Sequence, residues 1–144
     1  MSLISIEELE RLTREELPFA RISKFRVEKL ESGRAIVRAP YSSEFLRPGG
    51  TISGPIMMGL ADFAMYAAVL TRVGVVELAL TTNLNINFLH RPKPGDLLAK
   101  ARLIKLGKRL AMGEVEVYVD GHEEMVAHVT STYSLPPAPV RAIN

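Results

Sequence analysis

The sequence predicts an α+β domain in which a curved antiparallel sheet wraps one long central helix, with a short helix at the N-terminus. Three observations carry this. Residues 56–70, IMMGLADFAMYAAVL, are apolar almost all round, so the helix they form must be buried on most sides. The later part of the chain repeats the two-residue period of half-buried strands, at Leu84, Ile86, Phe88 against Asn83, Asn85, Asn87, and again at Val115, Val117, Val119. The long helix occurs once, with strands in succession after it, and no βαβ alternation calls for a parallel sheet. A single helix so apolar also needs cover on the side away from the sheet, and a second copy of the chain can supply it.

The elements follow in order. Ser5 and Glu8 form a capping-box pattern, and Leu9, Leu12 and Leu17 share a face, which predicts a helix over about residues 5–17 that Pro18 stops. Residues 19–30 and 34–39 read as two strands, joined through Glu31-Ser32-Gly33 as a hairpin. The segment FLRPGGTISG leads into the central helix, whose first turn is marked by Gly54-Pro55, proline being well suited to a position where no N–H is needed. Strands follow over residues 79–89, 97–106 and around 115–119, with turns at Gly107-Lys108 and Asp120-Gly121, and a last strand over about 124–135 completes a meander. The proline-rich end, about residues 136–144, has no periodicity and reads as a tail.

At 144 residues the chain is predicted to be a single domain spanning 1–144. Lys+Arg number 18 and Asp+Glu 16, the basic residues are scattered, and the net charge of +2 offers no stripe for a nucleic acid. Cysteine is absent, which excludes disulfides, thiol nucleophiles and thiolate metal sites. His90, His122 and His128 lack metal-ligand spacing, so no metal site is expected. The N-terminus is acidic where an export signal would be basic, and the apolar run is too short for a membrane span and interrupted by Asp62; a cytoplasmic protein with no membrane partner is expected.

Asp62 is the most informative residue. Within 56–70 it is the only ionisable side chain apart from the Tyr66 phenol, and a carboxylate in such surroundings costs several kcal/mol unless it is paired or used. It is either tied to a neighbouring hydroxyl or backbone group or engaged in chemistry, and the cost favours chemistry. At the start of the same helix the free N–H groups and the positive dipole end suit a polarised carbonyl oxygen, with Gly49, Gly50 and Gly54 allowing close approach. Gly54 and Asp62 are eight residues apart, roughly 12 Å along the axis. If both act on one carbonyl, one must come from a second subunit whose helix runs antiparallel across a two-fold axis.

Ser53-Gly54-Pro55, then four residues, then Leu60-Ala61-Asp62, followed by a strand reading Asn85-Ile86-Asn87-Phe88-Leu89 and a proline, resembles the hotdog-fold acyl-CoA thioesterases, in particular the branch related to the phenylacetate-pathway enzymes. The resemblance covers about residues 19–135. It implies the hotdog fold and hydrolysis of a small to medium acyl-CoA thioester to acid and coenzyme A. It also implies that the Gly54 N–H polarises the thioester carbonyl, that Asp62 activates water or attacks as nucleophile, and that Thr81 is the assisting hydroxyl. Coenzyme A would be part of the substrate and no other cofactor is implied. A homodimer is expected, and the sequence leaves open whether two dimers join into a tetramer. Ser53 stands where the branch usually has His, Pro55 where it has a second Gly, and Arg47 where relatives often have Asn.

The remaining candidates carry two readings each. Arg47 contacts substrate or bridges to a carboxylate. Ser53 lacks a nearby base and a GxSxG elbow, so capping or a hydrogen bond beside the substrate suits it better than nucleophilic attack. Pro55 leaves Gly54 and Ile56 as the donors at the helix start. Met57, Met58 and Met65 fill the core or line an adaptable acyl pocket. The row Asn83, Asn85, Asn87 faces solvent or a subunit contact, with Asn83 also placed to border the cleft. Arg91, Lys93, Lys108 and Arg109 lie at turns, where they are solvated or meet the phosphates of coenzyme A. Two other functions remain consistent with the residues: a hotdog hydratase or dehydratase, disfavoured by the absence of His from the loop and helix, and a non-catalytic acyl-CoA binding module. A purely structural interaction domain would leave Asp62 unexplained.

Overall fold

The computed structural model describes residues 1–137, so the proline-rich end lies mostly outside the described residues. Helix α1 (Ile6–Glu16) begins as its capping box predicts: the Glu8 N–H donates to Ser5 Oγ at 3.1 Å and the Ser5 N–H to the Glu8 carboxylate at 3.0 Å. Pro18 ends this helix but then serves as the first residue of a second, α2 (Pro18–Ile22). That corrects the expectation of a strand from residue 19. Proline favours a helix start, and Ala20 is the residue α2 buries. The chain escapes helix only at Lys24, which adopts a left-handed φ of 61°. Strand β1 (Arg26–Glu31) is therefore half the expected length.

Strand β2 (Arg34–Ala39) pairs with β1 through a turn at Gly33, whose φ of 76° needs a residue without Cβ. The Gly33 N–H donates to the buried Thr71 Oγ1 at 2.8 Å, tying the hairpin to the central helix. A 3-10 turn (Ser43–Phe45) and a two-residue hairpin, β3 (Leu46–Arg47) with β4 (Thr51–Ile52), deliver the chain to helix α3 (Gly54–Val73). Then come β5 (Leu80–Phe88), β6 (Leu97–Leu106), β7 (Leu110–Val119) and β8 (Met125–Ser134). The large sheet is antiparallel throughout, ordered β1-β2-β6-β7-β8-β5.

The helix sits in the concave face because that face is built from small residues. Ala35, Ala99, Ala101, Ala111 and Ala127 are buried there among Val37, Val115, Val117 and Val129. At Gly113 an added Cβ would lie 2.8 Å from the Met65 sulfur, so the glycine makes the slot that Met65 fills. Met65 is thus core, whereas Met58 is partly exposed and Met57 is buried. Helix α3 is long and apolar enough to cross a membrane by length and composition, yet most residues from Ile56 to Thr71 are buried in this domain, which makes it the core helix. Fully buried leucines such as Leu60 and Leu70 each contribute about 2 kcal/mol.

Strand β5 closes the sheet at one edge and hydrogen-bonds only to β8 among the described residues. Its apolar row is less covered than the alternation predicts: Leu84 and Ile86 are half-buried and Phe88 is 51% exposed. An edge strand has a neighbour on one side only, and α3 lies chiefly over the middle of the sheet. A bulge between Thr81 and Asn83 has a larger consequence. One extra residue reverses which face each side chain takes, so Thr81 and not Thr82 lies directly opposite the inward-facing Tyr133.

Candidate active site

Asp62 sits in the third turn of α3, half-buried and facing Thr81 and Tyr133. Thr81 Oγ1 donates to Asp62 Oδ1 at 2.7 Å, and the Tyr133 hydroxyl donates to the same oxygen at 2.7 Å. The Tyr133 hydroxyl also lies 3.0 Å from the main-chain oxygen of Asp62. No basic side chain pairs with Asp62 among the described residues, and neither does any donor bond its Oδ2. Two hydroxyls thus offset part of the cost of placing a carboxylate here while leaving one oxygen free.

The phenols that frame Asp62 stay protonated. Burial, and then the charge of Asp62, hold the Tyr133 phenol far above the usual tyrosine range, which keeps it a donor. Burial and then Glu77 push Tyr66 from the ordinary 10.0 up to about 12. The two rings lie 6.2 Å apart at 37°.

Asp62 opens into a cleft of about 300 Å³ whose apolar walls include Leu17, Phe19, Phe63, Tyr66 and Leu80. Phe19 comes from α2 and lies on α3 at Gly59, where an added Cβ would be 2.4 Å from its ring. The helix that replaces the expected strand therefore builds one wall of this cleft.

The start of α3 belongs to another cleft, of about 450 Å³, lined by Arg47, Gly54, Met57, Phe88, His90 and Arg91 among others. Ser53 is the N-cap residue, but its side chain caps nothing; its own N–H is bonded to Phe45 O at 2.8 Å. Pro55 has no N–H to give, so the first-turn donors are those of Gly54 and Ile56. The Phe88 ring covers Gly54 closely enough that an added Cβ would lie 3.1 Å away. Arg47 makes no ion pair with a carboxylate among the described residues.

The structure thus brings Asp62 and Thr81 together, and Gly54 and Arg47 together, in two separate clefts of one chain. Ser53 and Pro55 flank the second cleft without lining it, and Asn83 is exposed on the edge strand and lines neither. Reading the sequence missed Tyr133, Tyr66 and Phe19. Tyr66 was discoverable, being four residues after Asp62 on one helix face. Tyr133 had no local signal, because it is 71 residues from Asp62 in sequence. Two of the three histidines are engaged with acceptors: His90, which also lines the Gly54 cleft, with Met125 O and Glu124, each at 3.0 Å, and His128 with Glu114 at 3.0 Å. No cluster of His, Asp and Glu able to hold a metal occurs among the described residues.

Comparison with known proteins agrees with this architecture. A protein of Saccharolobus solfataricus provisionally named an esterase is 30% identical over 131 residues, which cover 91% of this chain and 85% of that protein. A crystal structure of a provisionally named thioesterase from Silicibacter sp. matches with a TM-score of 0.86 and 39% identity, covering 95% of both chains. A variant of the phenylacetic acid degradation protein from Thermus thermophilus matches with a TM-score of 0.73 and 28% identity, covering 83% of this chain and 99% of its own. Residues 49–126, which hold the Gly54 turn, all of α3 and the strands after it as far as the start of β8, match the thioesterase superfamily. The chain therefore belongs to the thioesterase superfamily, with the hotdog fold and with thioester hydrolysis as its class of chemistry.

Proposed function

We propose that the protein hydrolyses a small to medium acyl-CoA thioester to the free acid and coenzyme A, at sites formed between two copies of the chain. The observation that carries this is the state of Asp62: one oxygen held by two hydroxyls, the other free beside an apolar cleft. A carboxylate so held is oriented and has an oxygen left to act with. The missing half of such a site is a donor pair for the carbonyl oxygen, and the Gly54 end of α3 offers one about 12 Å away along the same helix. Two helices running antiparallel across a two-fold axis bring the Gly54 turn of one subunit to Asp62 of its mate. The open edge of β5 is a surface through which two sheets can join.

The chemistry follows in one of two ways. In the first, Asp62 Oδ2 takes a proton from water as the water oxygen bonds to the carbonyl carbon; the C–S bond then breaks and the proton passes to the departing thiolate. In the second, Oδ2 itself bonds to the carbonyl carbon with loss of the thiolate, and water then cleaves the resulting anhydride. In both, the Gly54 and Ile56 N–H groups hold the negative charge that develops on the carbonyl oxygen. The substrate carries its own coenzyme A, and neither route needs a further cofactor. Arg47 and Arg91 suit the phosphates of that coenzyme. A cytoplasmic location fits such a substrate.

The test is release of free thiol from a panel of acyl-CoAs by the wild type and by Asp62→Asn, with the oligomeric state of both measured. The variant should keep its assembly and lose at least ~10²-fold in turnover. Activity within a few-fold of wild type would remove Asp62 from the mechanism.

A further inference from the structure

We infer that the Asp62 cleft rejects acyl groups ending in a carboxylate, so that the substrates are coenzyme A thioesters of monocarboxylic acids. This rests on reading the Asp62 cleft as the acyl site and goes beyond it by assigning the class of acyl group.

The polarity of the two clefts supports it. The acidic residues Glu16, Asp62 and Glu77 line the Asp62 cleft, Asp62 half-buried within it and Glu16 and Glu77 exposed at its rim, and no lysine, arginine or histidine lines it among the described residues. Glu16 and Glu77 make no ion pair there, so neither charge is cancelled by a neighbour among the described residues. The cleft's hydroxyl donors are already committed: Thr81 and Tyr133 give theirs to Asp62, and the Tyr66 hydroxyl points to Glu77 O at 3.4 Å. What remains is apolar surface from Leu17, Phe19, Phe63 and Leu80. A terminal carboxylate entering there would lose water, find no uncommitted side-chain donor among the described residues and face the charge of Asp62, the group that must act on its own carbonyl, with the solvated charges of Glu16 and Glu77 adding to the repulsion from the rim.

The other cleft has the opposite character. It is lined by Arg47, His90 and Arg91 and by no carboxylate among the described residues. An acyl-CoA is anionic at its nucleotide end, so the segregation of charge fixes which end lies where, provided that the acyl end is uncharged.

The experiment compares glutaryl-CoA with 5-oxohexanoyl-CoA, in which a methyl ketone of nearly the same shape replaces the carboxylate, and with hexanoyl-CoA. The full-length protein should show kcat/KM for both uncharged substrates at least ~10-fold above that for glutaryl-CoA. The gap should narrow as salt screens the carboxylates. In the Glu16→Gln, Glu77→Gln double variant the ratio of glutaryl to 5-oxohexanoyl turnover should rise several-fold. Equal turnover of glutaryl-CoA and 5-oxohexanoyl-CoA by the wild type would overturn the inference while leaving the thioesterase reading intact, and would mean that a cation of the partner subunit reaches the acyl end. No thiol release from any of the three would overturn the reading on which the inference rests.

Discussion

The two parts of α3 that the proposed reaction uses, its start and its third turn, are made from different materials. At Gly54 the useful groups are main-chain N–H donors, placed by a local turn and flanked by arginines. At Asp62 the useful group is a side chain, held by Thr81 from the edge strand and Tyr133 from β8 and walled by Phe19 from α2. The first is a property of one helix start and survives wherever that helix forms. The second needs three distant segments to meet. Chemistry on a carbonyl needs both, and one chain keeps them in separate clefts.

The largest effect should come from breaking each end in turn and then mixing the products. Gly54→Pro removes the N–H at the first helical position, where the added ring must also push Phe88 aside, and should cost at least ~10²-fold in turnover, the scale of a lost oxyanion donor. Asp62→Asn should cost at least as much. Equal co-refolding of the two variants gives heterodimers with one intact site, and should restore about a quarter of wild-type activity. Activity that stays at the level of the parents would show that the two ends do not meet across a subunit boundary.

A smaller effect tests the acid end alone. Tyr133→Phe leaves the ring but deletes the donor to Asp62 Oδ1, and should lower kcat by ~10-fold while KM changes little if, as proposed, the hydroxyl serves to orient the acid. A rise in KM with kcat unchanged would place the hydroxyl in substrate binding instead.

The smallest effect concerns alkaline stability. Between pH 10.0 and about 12 the Tyr66 phenol holds its proton more tightly in the folded chain than in the unfolded one. Its contribution is fully present below that window and is lost as pH rises through it. Thermal unfolding of the wild type should therefore move to lower temperature across this range, and less so in Tyr66→Phe. Identical pH profiles for the two proteins would show that Tyr66 titrates as an exposed phenol does.

Much of the fold was legible because it is periodic. Residues 34–39 and 97–106 show as strands with the bounds that the structure gives them, and the capping box at Ser5 places α1 to within a residue. The misreading at 19–30 has a physical origin. A short apolar stretch after proline suits a strand or a helix start equally, and what decides is that Phe19 has α3 to lie on at Gly59. The covered state expected for Phe88 failed for a similar reason: alternation shows which side chains share a face, not whether the strand is central or at an edge.

By itself the sequence determined the core helix, the lone acid within it, the donor turn eight residues earlier and the antiparallel strands that follow, because each is encoded by neighbours within a turn or a strand. Only the tertiary structure decided that a bulge would turn Thr81 inward to share one oxygen of Asp62 with Tyr133, and that acid and donor would open into different clefts. Those outcomes depend on strand order and register between segments far apart in the chain, and no local pattern of residues encodes them.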